Sequence, residues 1–258
     1  MKAIILCGGF GTRLDDEGKL KAKPMVQIGK DPILMHLVKF FCDQNIKEFI
    51  FCLGYKSETI IDFFLKKKRS NIKIFLNKKN IIQFKFKSNK LEFVGSLVFT
   101  GIKTGTGGRI LKAYKKLNLN EDFLMTYGDG LSDVKISKLI NFHYKKKAKV
   151  TLTAVRPKQR YGVIKILNSK VNQFDNSNKK INTYINGGFF VISKDMIRRI
   201  KSNSIYWENQ PLNWAIKNKK LFAFKHDGFW KSLDTLKDKN DFNILILSME
   251  FFFFSINH

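Results

Sequence analysis

The residues with the most chemistry in them are a glycine-rich loop, two basic side chains and two separated carboxylates. The loop is Gly8-Gly9-Phe10-Gly11-Thr12-Arg13. It follows the short apolar run Ala3 to Cys7, which is β-branched in the middle and reads as a strand buried on both faces. Glycines let main-chain N–H groups approach a ligand closely, so a strand that empties into this loop, with Arg13 and then Lys23 beyond it, can hold a polyphosphate. The glycines alone fit a tight strand-to-helix turn equally well. No Gly-Lys-Ser/Thr follows, so this is not a Walker A loop, and Leu14 stands where a full G-x-G-x-x-G would place its third glycine.

The first carboxylate is Asp129. Phe123 to Tyr127 reads as an apolar strand, and Gly128-Asp129-Gly130 follows at its carboxyl end. Ligands of open α/β sheets collect at that edge. A carboxylate there, opposite a phosphate loop, would hold Mg²⁺, although an Asp-Gly turn accounts for the same residues taken alone. Asp234, after His226-Asp227-Gly228-Phe229-Trp230, is a second carboxylate in a similar setting. Neighbouring strand residues point to opposite faces, so His226 and Asp227 are read as unlinked and His226 as structural. Thr104-Gly105-Thr106-Gly107-Gly108-Arg109 opens a helix, and its glycine-rich N-terminus could receive an anion or a base edge. Asn186, before Gly187-Gly188, suits a sugar hydroxyl.

The elements that must position these groups alternate. Asp31-Pro32 reads as an N-cap and first helical residue, ahead of Ile33, Leu34, Leu37, Val38, Phe40 and Phe41 at helical spacing. Glu48–Leu53 is a second buried strand. Ser57 caps a helix whose last turn is Lys66 to Arg69, and Ile72 to Leu76 is a third strand. This order predicts parallel βαβ units in a helix-covered sheet. Residues 77–100 alternate loosely, as hairpin strands do. A helix is expected over Ser132 to Lys146, a strand over Val150 to Val155, and more antiparallel strands over Tyr161 to Ile166 and Tyr184 to Val191. A short helix at Lys194 to Ile200, another through Trp214 and Ile216, and a strand at Leu221 to Lys225 complete the order.

The 258 residues, 44% hydrophobic with 25 Phe, can bury a sizeable core and are not those of a disordered chain. The expected organisation is one domain over 1–241, with a nucleotide-binding half at about 1–150 and a sugar-binding half at about 151–241. An apolar tail follows at 242–258, with Phe251 to Phe254 in a row. No segment has the roughly 18 apolar residues of a membrane span, and no leader-like apolar run opens the chain, so a cytoplasmic location is expected. Cys7, Cys42 and Cys52 lack metal or redox spacing and read as free thiols. The net charge of +27 comes mostly from Lys, with seven Arg. Its runs sit at the ends of helix-like segments, as solvated faces, and no motif for specific nucleic-acid binding accompanies them.

Taken together, Gly8-Gly9-Phe10-Gly11-Thr12-Arg13-Leu14, Lys23-Pro24-Met25, Thr106-Gly107-Gly108-Arg109, Tyr127-Gly128-Asp129-Gly130, Ile185-Asn186-Gly187-Gly188-Phe189-Phe190, Trp207-Glu208 with Pro211-Leu212, and Phe229-Trp230 with Asp234-Thr235 resemble the sugar-1-phosphate nucleotidyltransferases. Thr-Gly-Gly-Arg, Trp-Glu and Phe-Trp resemble the cytidylyl branch of that family in particular. The resemblance runs from Lys2 to about Asp241. It implies a Rossmann-like α/β fold with a mixed, mainly parallel sheet flanked by helices, a smaller β-rich sugar-binding lobe, and homo-oligomers. It also implies a reaction of CTP with α-D-glucose 1-phosphate that yields CDP-glucose and pyrophosphate.

By that resemblance Leu6, Cys7, Gly8, Gly9, Phe10, Gly11, Thr12 and Arg13 cradle the nucleotide with Lys23, Thr104, Arg109 and Gly128. Arg13 and Lys23 neutralise charge in the transfer step, Asp129 and Asp234 hold Mg²⁺, and Gly162, Asn186 and Glu208 face the sugar. Two departures stand out. Ala22-Lys23-Pro24 replaces the family's Pro-Lys-Pro. Asn176-Ser177 stands where the family carries a Glu-Lys pair whose lysine binds the sugar phosphate, with Lys179 and Lys180 nearby as substitutes.

Overall fold

The computed structural model describes residues 1–9, 21–65, 71–88, 91–157, 163–167, 169–175 and 183–256, the stretches 163–167, 172–175 and 247–256 by backbone alone. The expected positions Phe10, Gly11, Thr12, Arg13, the run 66–69, Tyr161, Gly162, Asn176, Ser177, Lys179 and Lys180 lie outside the described residues.

In chain order the elements begin with β1 (Ala3–Cys7), a single 3₁₀ turn (Lys23–Met25), the two-residue partners β2 (Gln27–Ile28) and β3 (Asp31–Pro32), α1 (Ile33–Cys42), β4 (Glu48–Leu53) and α2 (Ser57–Leu65). Next come β5 (Ile72–Lys78), β6 (Ile81–Lys87), β7 (Glu92–Phe99), α3 (Thr106–Lys116), β8 (Phe123–Tyr127), β9 (Gly130–Ser132) and α4 (Ile136–Lys145). The second half holds β10 (Val150–Val155), β11 (Val163–Leu167), β12 (Lys170–Asp175), β13 (Ile185–Ile192), a 3₁₀ segment (Lys194–Arg199), α5 (Gln210–Lys217), β14 (Leu221–His226), β15 (Trp230–Ser232) and α6 (Leu236–Ile256).

Nine strands form one sheet in the order β14-β10-β13-β8-β1-β4-β7-β6-β5. Its centre, β8-β1-β4-β7, is parallel throughout. β13 runs antiparallel to both β8 and β10, while β14 returns to a parallel pairing with β10. All five residues of β1 are buried, as its apolar composition predicts. Alternate side chains leave opposite faces: Ala3, Ile5 and Cys7 enter a core shared with α1, α2 and α4, and Ile4 and Leu6 enter one shared with α3 and α5. Within the first core, Phe41, Phe49, Phe51, Phe64, Phe84 and Phe93 form a connected run of ring contacts.

Several local expectations are corrected. Pro32 occupies the N-cap position and α1 starts at Ile33, because Asp31 and Pro32 pair with Ile28 and Gln27. The strand after α2 is not the next parallel strand. β5 and β6 form an antiparallel hairpin at the sheet edge, and the parallel position goes to β7. Most of β5 is exposed and lysine-bearing, which suits an edge. The helix expected from Ser132 begins only at Ile136, because Gly130–Ser132 pairs antiparallel with Trp230–Ser232. The small two-stranded sheet β11–β12 lies apart from the main sheet.

The C-terminal apolar stretch continues α6 without a break, and Phe242 is buried with Val26, Ile28, Ile33 and Leu233. Among the described residues no helix is long and apolar enough to cross a membrane. The three cysteines are free, and burial pushes the Cys52 thiol up to about 12, which keeps it protonated.

Candidate active site

A cleft of about 380 Å³ opens at the carboxyl ends of β1 and β8, lined by Leu6, Cys7, Gly8, Gly9, Lys23, Pro24, Ile102, Lys103, Thr104, Thr106, Arg109, Tyr127, Gly128, Asp129 and Tyr206. The chain leaves β1 toward β4 on one side and reaches β8 on the other, so the cleft sits where the strand order reverses. Leu6, Cys7, Gly8, Gly9, Lys23, Thr104, Arg109, Gly128 and Asp129 were all singled out by sequence, and the structure brings them to this one cavity.

Lys23 and the two carboxylates converge. The Lys23 ammonium lies 2.6 Å from Asp129 Oδ2 and 2.8 Å from Asp234 Oδ1. Burial alone would lower the Lys23 pKa, but the charges and hydrogen bonds of Asp129 and Asp234 outweigh it and hold the ammonium above its usual range. The Ser232 hydroxyl donates to Asp234 Oδ2 at 2.7 Å. The β9–β15 pairing makes this meeting possible: Gly130 faces Ser232, and the Leu233 N–H donates to the Asp129 carbonyl at 2.8 Å. Gly128 is required beside it, since a Cβ there would lie 2.8 Å from Pro24 Cγ and push the Lys23 turn away. Two carboxylates that already close on one cation are a hard-oxygen donor pair, the kind that shares Mg²⁺ with substrate phosphates.

Arg109 does something the sequence did not indicate. It is 5% exposed, and its guanidinium donates to the carbonyls of Leu53, Gly101, Gly8 and Ile102 and to the Thr100 hydroxyl, at 2.8–3.2 Å. It lines the cleft while tying the Gly8 loop to the loop after β7. Thr104 is likewise engaged, donating its hydroxyl to the Thr100 carbonyl at 2.8 Å.

The N-terminus of α3 is also partly occupied by protein. The Gly105 and Gly108 N–H groups donate to the carbonyls of Asn203 and Ile205. A Cβ on Gly108 would fall 2.0 Å from the Asn203 carbonyl oxygen, so this glycine admits the 203–207 segment. That contact, and not an anion, accounts for those two donors.

Across the cleft from Gly8, Glu208 accepts from the Thr106 hydroxyl at 2.6 Å and, in a very short bond, from the Tyr127 hydroxyl. The Asn186 amide donates to the same Tyr127 oxygen at 3.4 Å. Burial, followed by the Glu208 charge, pushes the Tyr127 phenol far up, so it stays a donor. Asn186 and Glu208 thus meet through a tyrosine the sequence reading passed over. Tyr127 is the polar end of an apolar strand, aimed at the same edge as Asp129, and that position was the available signal. Tyr206, 57% exposed at the cleft, had no signal beyond its place before Trp207-Glu208. His226 sits 2.8 Å from Asp133, while Asp227 pairs with Arg156 at 2.7 Å, so the two neighbours do face different partners.

Known proteins resemble this chain over most of its length. The model of a family described as nucleotidyl transferase matches residues 2–246. The glucose-1-phosphate cytidylyltransferases of Salmonella typhimurium and Salmonella typhi are each 39% identical over 247 residues, covering 93% of this chain and 93% of theirs. The solved structure of HddC from Yersinia pseudotuberculosis superposes with a TM-score of 0.68 at 23% identity, over 95% of this chain and 99% of that one. With a family match spanning nearly every described element, and Gly8, Gly9, Lys23, Asp129 and Asp234 gathered at one sheet edge, the chain belongs to the nucleotidyl transferase family.

Proposed function

We propose that this protein is a glucose-1-phosphate cytidylyltransferase, which transfers CMP from CTP to α-D-glucose 1-phosphate and releases pyrophosphate, forming CDP-glucose. The observation that carries the reading is Lys23 held between Asp129 and Asp234 beside the Gly8 cleft, in a chain 39% identical to the Salmonella enzymes.

A phosphate oxygen of the sugar phosphate attacks the α-phosphorus of CTP in line. The new P–O bond forms as the bond to the β-phosphate's bridging oxygen breaks, and both electrons leave with pyrophosphate. The protein contributes position and charge more than covalent chemistry. The loop from Leu6 to Arg13 cradles the triphosphate, and Lys23 and Arg13 offset charge on the transferring and leaving groups. Thr104 and Gly128 border the nucleoside, and Arg109 acts there by fixing the Gly8 carbonyl. Asp129 and Asp234 would hold Mg²⁺, which when bound neutralises phosphate charge. Asn186, Glu208 and Gly162 face the sugar, with 1–150 as the nucleotide half and 151–241 as the sugar half. We further propose a homo-oligomeric cytoplasmic enzyme that supplies nucleotide-activated sugar for surface polysaccharide such as O-antigen.

The test is ³¹P NMR of CTP, glucose 1-phosphate and Mg²⁺ with the purified protein. Paired sugar-diphosphate resonances and stoichiometric pyrophosphate are expected. Unchanged substrates from folded protein would contradict the reading.

A further inference from the structure

Helix α6 begins at Leu236, just after Asp234 and Thr235. The Asp238 N–H donates to the Thr235 hydroxyl oxygen at 3.2 Å, and Asp238 Oδ2 accepts the Thr235 N–H at 2.9 Å. This is a reciprocal capping box with Asp in place of the usual Glu. The same Oδ2 accepts the Asp234 N–H at 3.1 Å, and Oδ1 meets the Lys231 ammonium at 3.1 Å. Asp238 is 4% exposed. Starting the helix needs only the exchange with Thr235. The bond to Asp234 fixes the main chain that carries a carboxylate to within 2.8 Å of Lys23.

The same helix grips the opposing arm. Phe242 packs among Val26, Ile28 and Ile33, and Asn243 Oδ1 accepts the Gly29 N–H at 2.8 Å. These contacts hold the β2–β3 turn that follows directly on Lys23. Asp238 and Phe242 are four residues apart, so one face of α6 meets both arms. Lys23 and Asp234, 211 residues apart in sequence, owe their meeting in part to this helix.

We propose that Asp238 is a positioning residue of the site: it sets the Asp234 carboxylate through the backbone, while α6 braces that arm against the one bearing Lys23. This rests on the cation-binding role proposed above for Asp234. Outer partners of metal ligands typically change metal affinity or activity by about 10–100-fold when lost, and a shift of that order is expected here.

The experiment titrates Mn²⁺ into full-length wild-type, Asp238→Ala and Asp238→Glu proteins, followed by electron paramagnetic resonance. In parallel it measures the Mg²⁺ concentration for half-maximal turnover. Asp238→Ala should weaken Mn²⁺ binding and raise the Mg²⁺ requirement, and Asp238→Glu, which rebuilds the capping box, should restore both. Should Asp238→Ala fail to fold, Asp238→Asn, which keeps an acceptor oxygen but loses the Lys231 charge pair, should show a smaller shift in the same direction. Wild-type Mn²⁺ binding in the folded Ala or Asn variant overturns the inference, as does a folded Glu variant without rescue. Wild-type protein that binds no Mn²⁺ would remove the cation role of Asp234, and this inference with it.

Discussion

The Thr106 hydroxyl donates to the Glu208 carboxylate over 2.6 Å, joining the first turn of α3 to a loop 102 residues later. The same hydroxyl oxygen accepts the Trp207 N–H at 2.8 Å. The Thr-Gly-Gly-Arg and Trp-Glu motifs are therefore two halves of one joint between the proposed nucleotide and sugar halves. Thr106→Val keeps the shape and removes both bonds, leaving a buried N–H without its acceptor. The expected loss of stability is about 1–3 kcal/mol by urea denaturation. An unchanged midpoint would mean that the joint contributes nothing.

Arg109→Lys should also be destabilising, by roughly 1–3 kcal/mol for each buried acceptor left unpaired, because a single ammonium cannot reach the acceptors that a planar guanidinium fork satisfies. The Gly8 carbonyl is among those acceptors, so the KM for CTP should rise as well. A variant with wild-type melting and wild-type KM would show that the Gly8 loop holds itself.

The resemblance to the sugar-1-phosphate nucleotidyltransferases implies a phosphate-binding lysine where this sequence has Ser177. Ser177→Lys should leave turnover unchanged or raise it, with a lower KM for glucose 1-phosphate. A sharp loss in steady-state assays would show that the position has acquired a different role.

His143 gives a pH dependence with a definite sign. It is fully buried, between Thr151 and Ser193, and burial holds its pKa below the ordinary 6.5. The unfolded chain then binds more protons than the folded one over the window just below pH 6.5. His143 stabilises the fold above that pH, and its contribution is lost as the pH falls toward its folded pKa. Denaturation midpoints of wild type and His143→Gln should therefore diverge at neutral pH and converge on acidification. A difference that widens toward pH 5 would reverse the assignment.

Much of the fold was legible because long-range order rests on local pattern. The apolar runs at 3–7, 48–53 and 123–127 became three adjacent parallel strands, and Asp129 emerged at the end of the last. What was not legible depends on partners far away in sequence. β9 and β15 are three residues each, too short to show a period, yet their pairing brings Asp129 and Asp234 together. The acceptors of Arg109 are mostly main-chain carbonyls, which every residue type carries, so no sequence pattern marks them. The glycines at the start of α3 looked like an anion cradle, and Gly108 instead makes room for the Asn203 carbonyl. The capping box at Thr235 and Asp238, and its bond to Asp234, required the turn itself.

The most direct test of the central claim is pyrophosphate release with glucose 1-phosphate and Mg²⁺, with CTP, UTP, dTTP, GTP and ATP compared side by side. Release with CTP is expected at a kcat/KM well above that with any other nucleotide, and it should be lost in Asp129→Asn. Equal or faster release with another nucleotide, or none with CTP from folded protein, would contradict the claim.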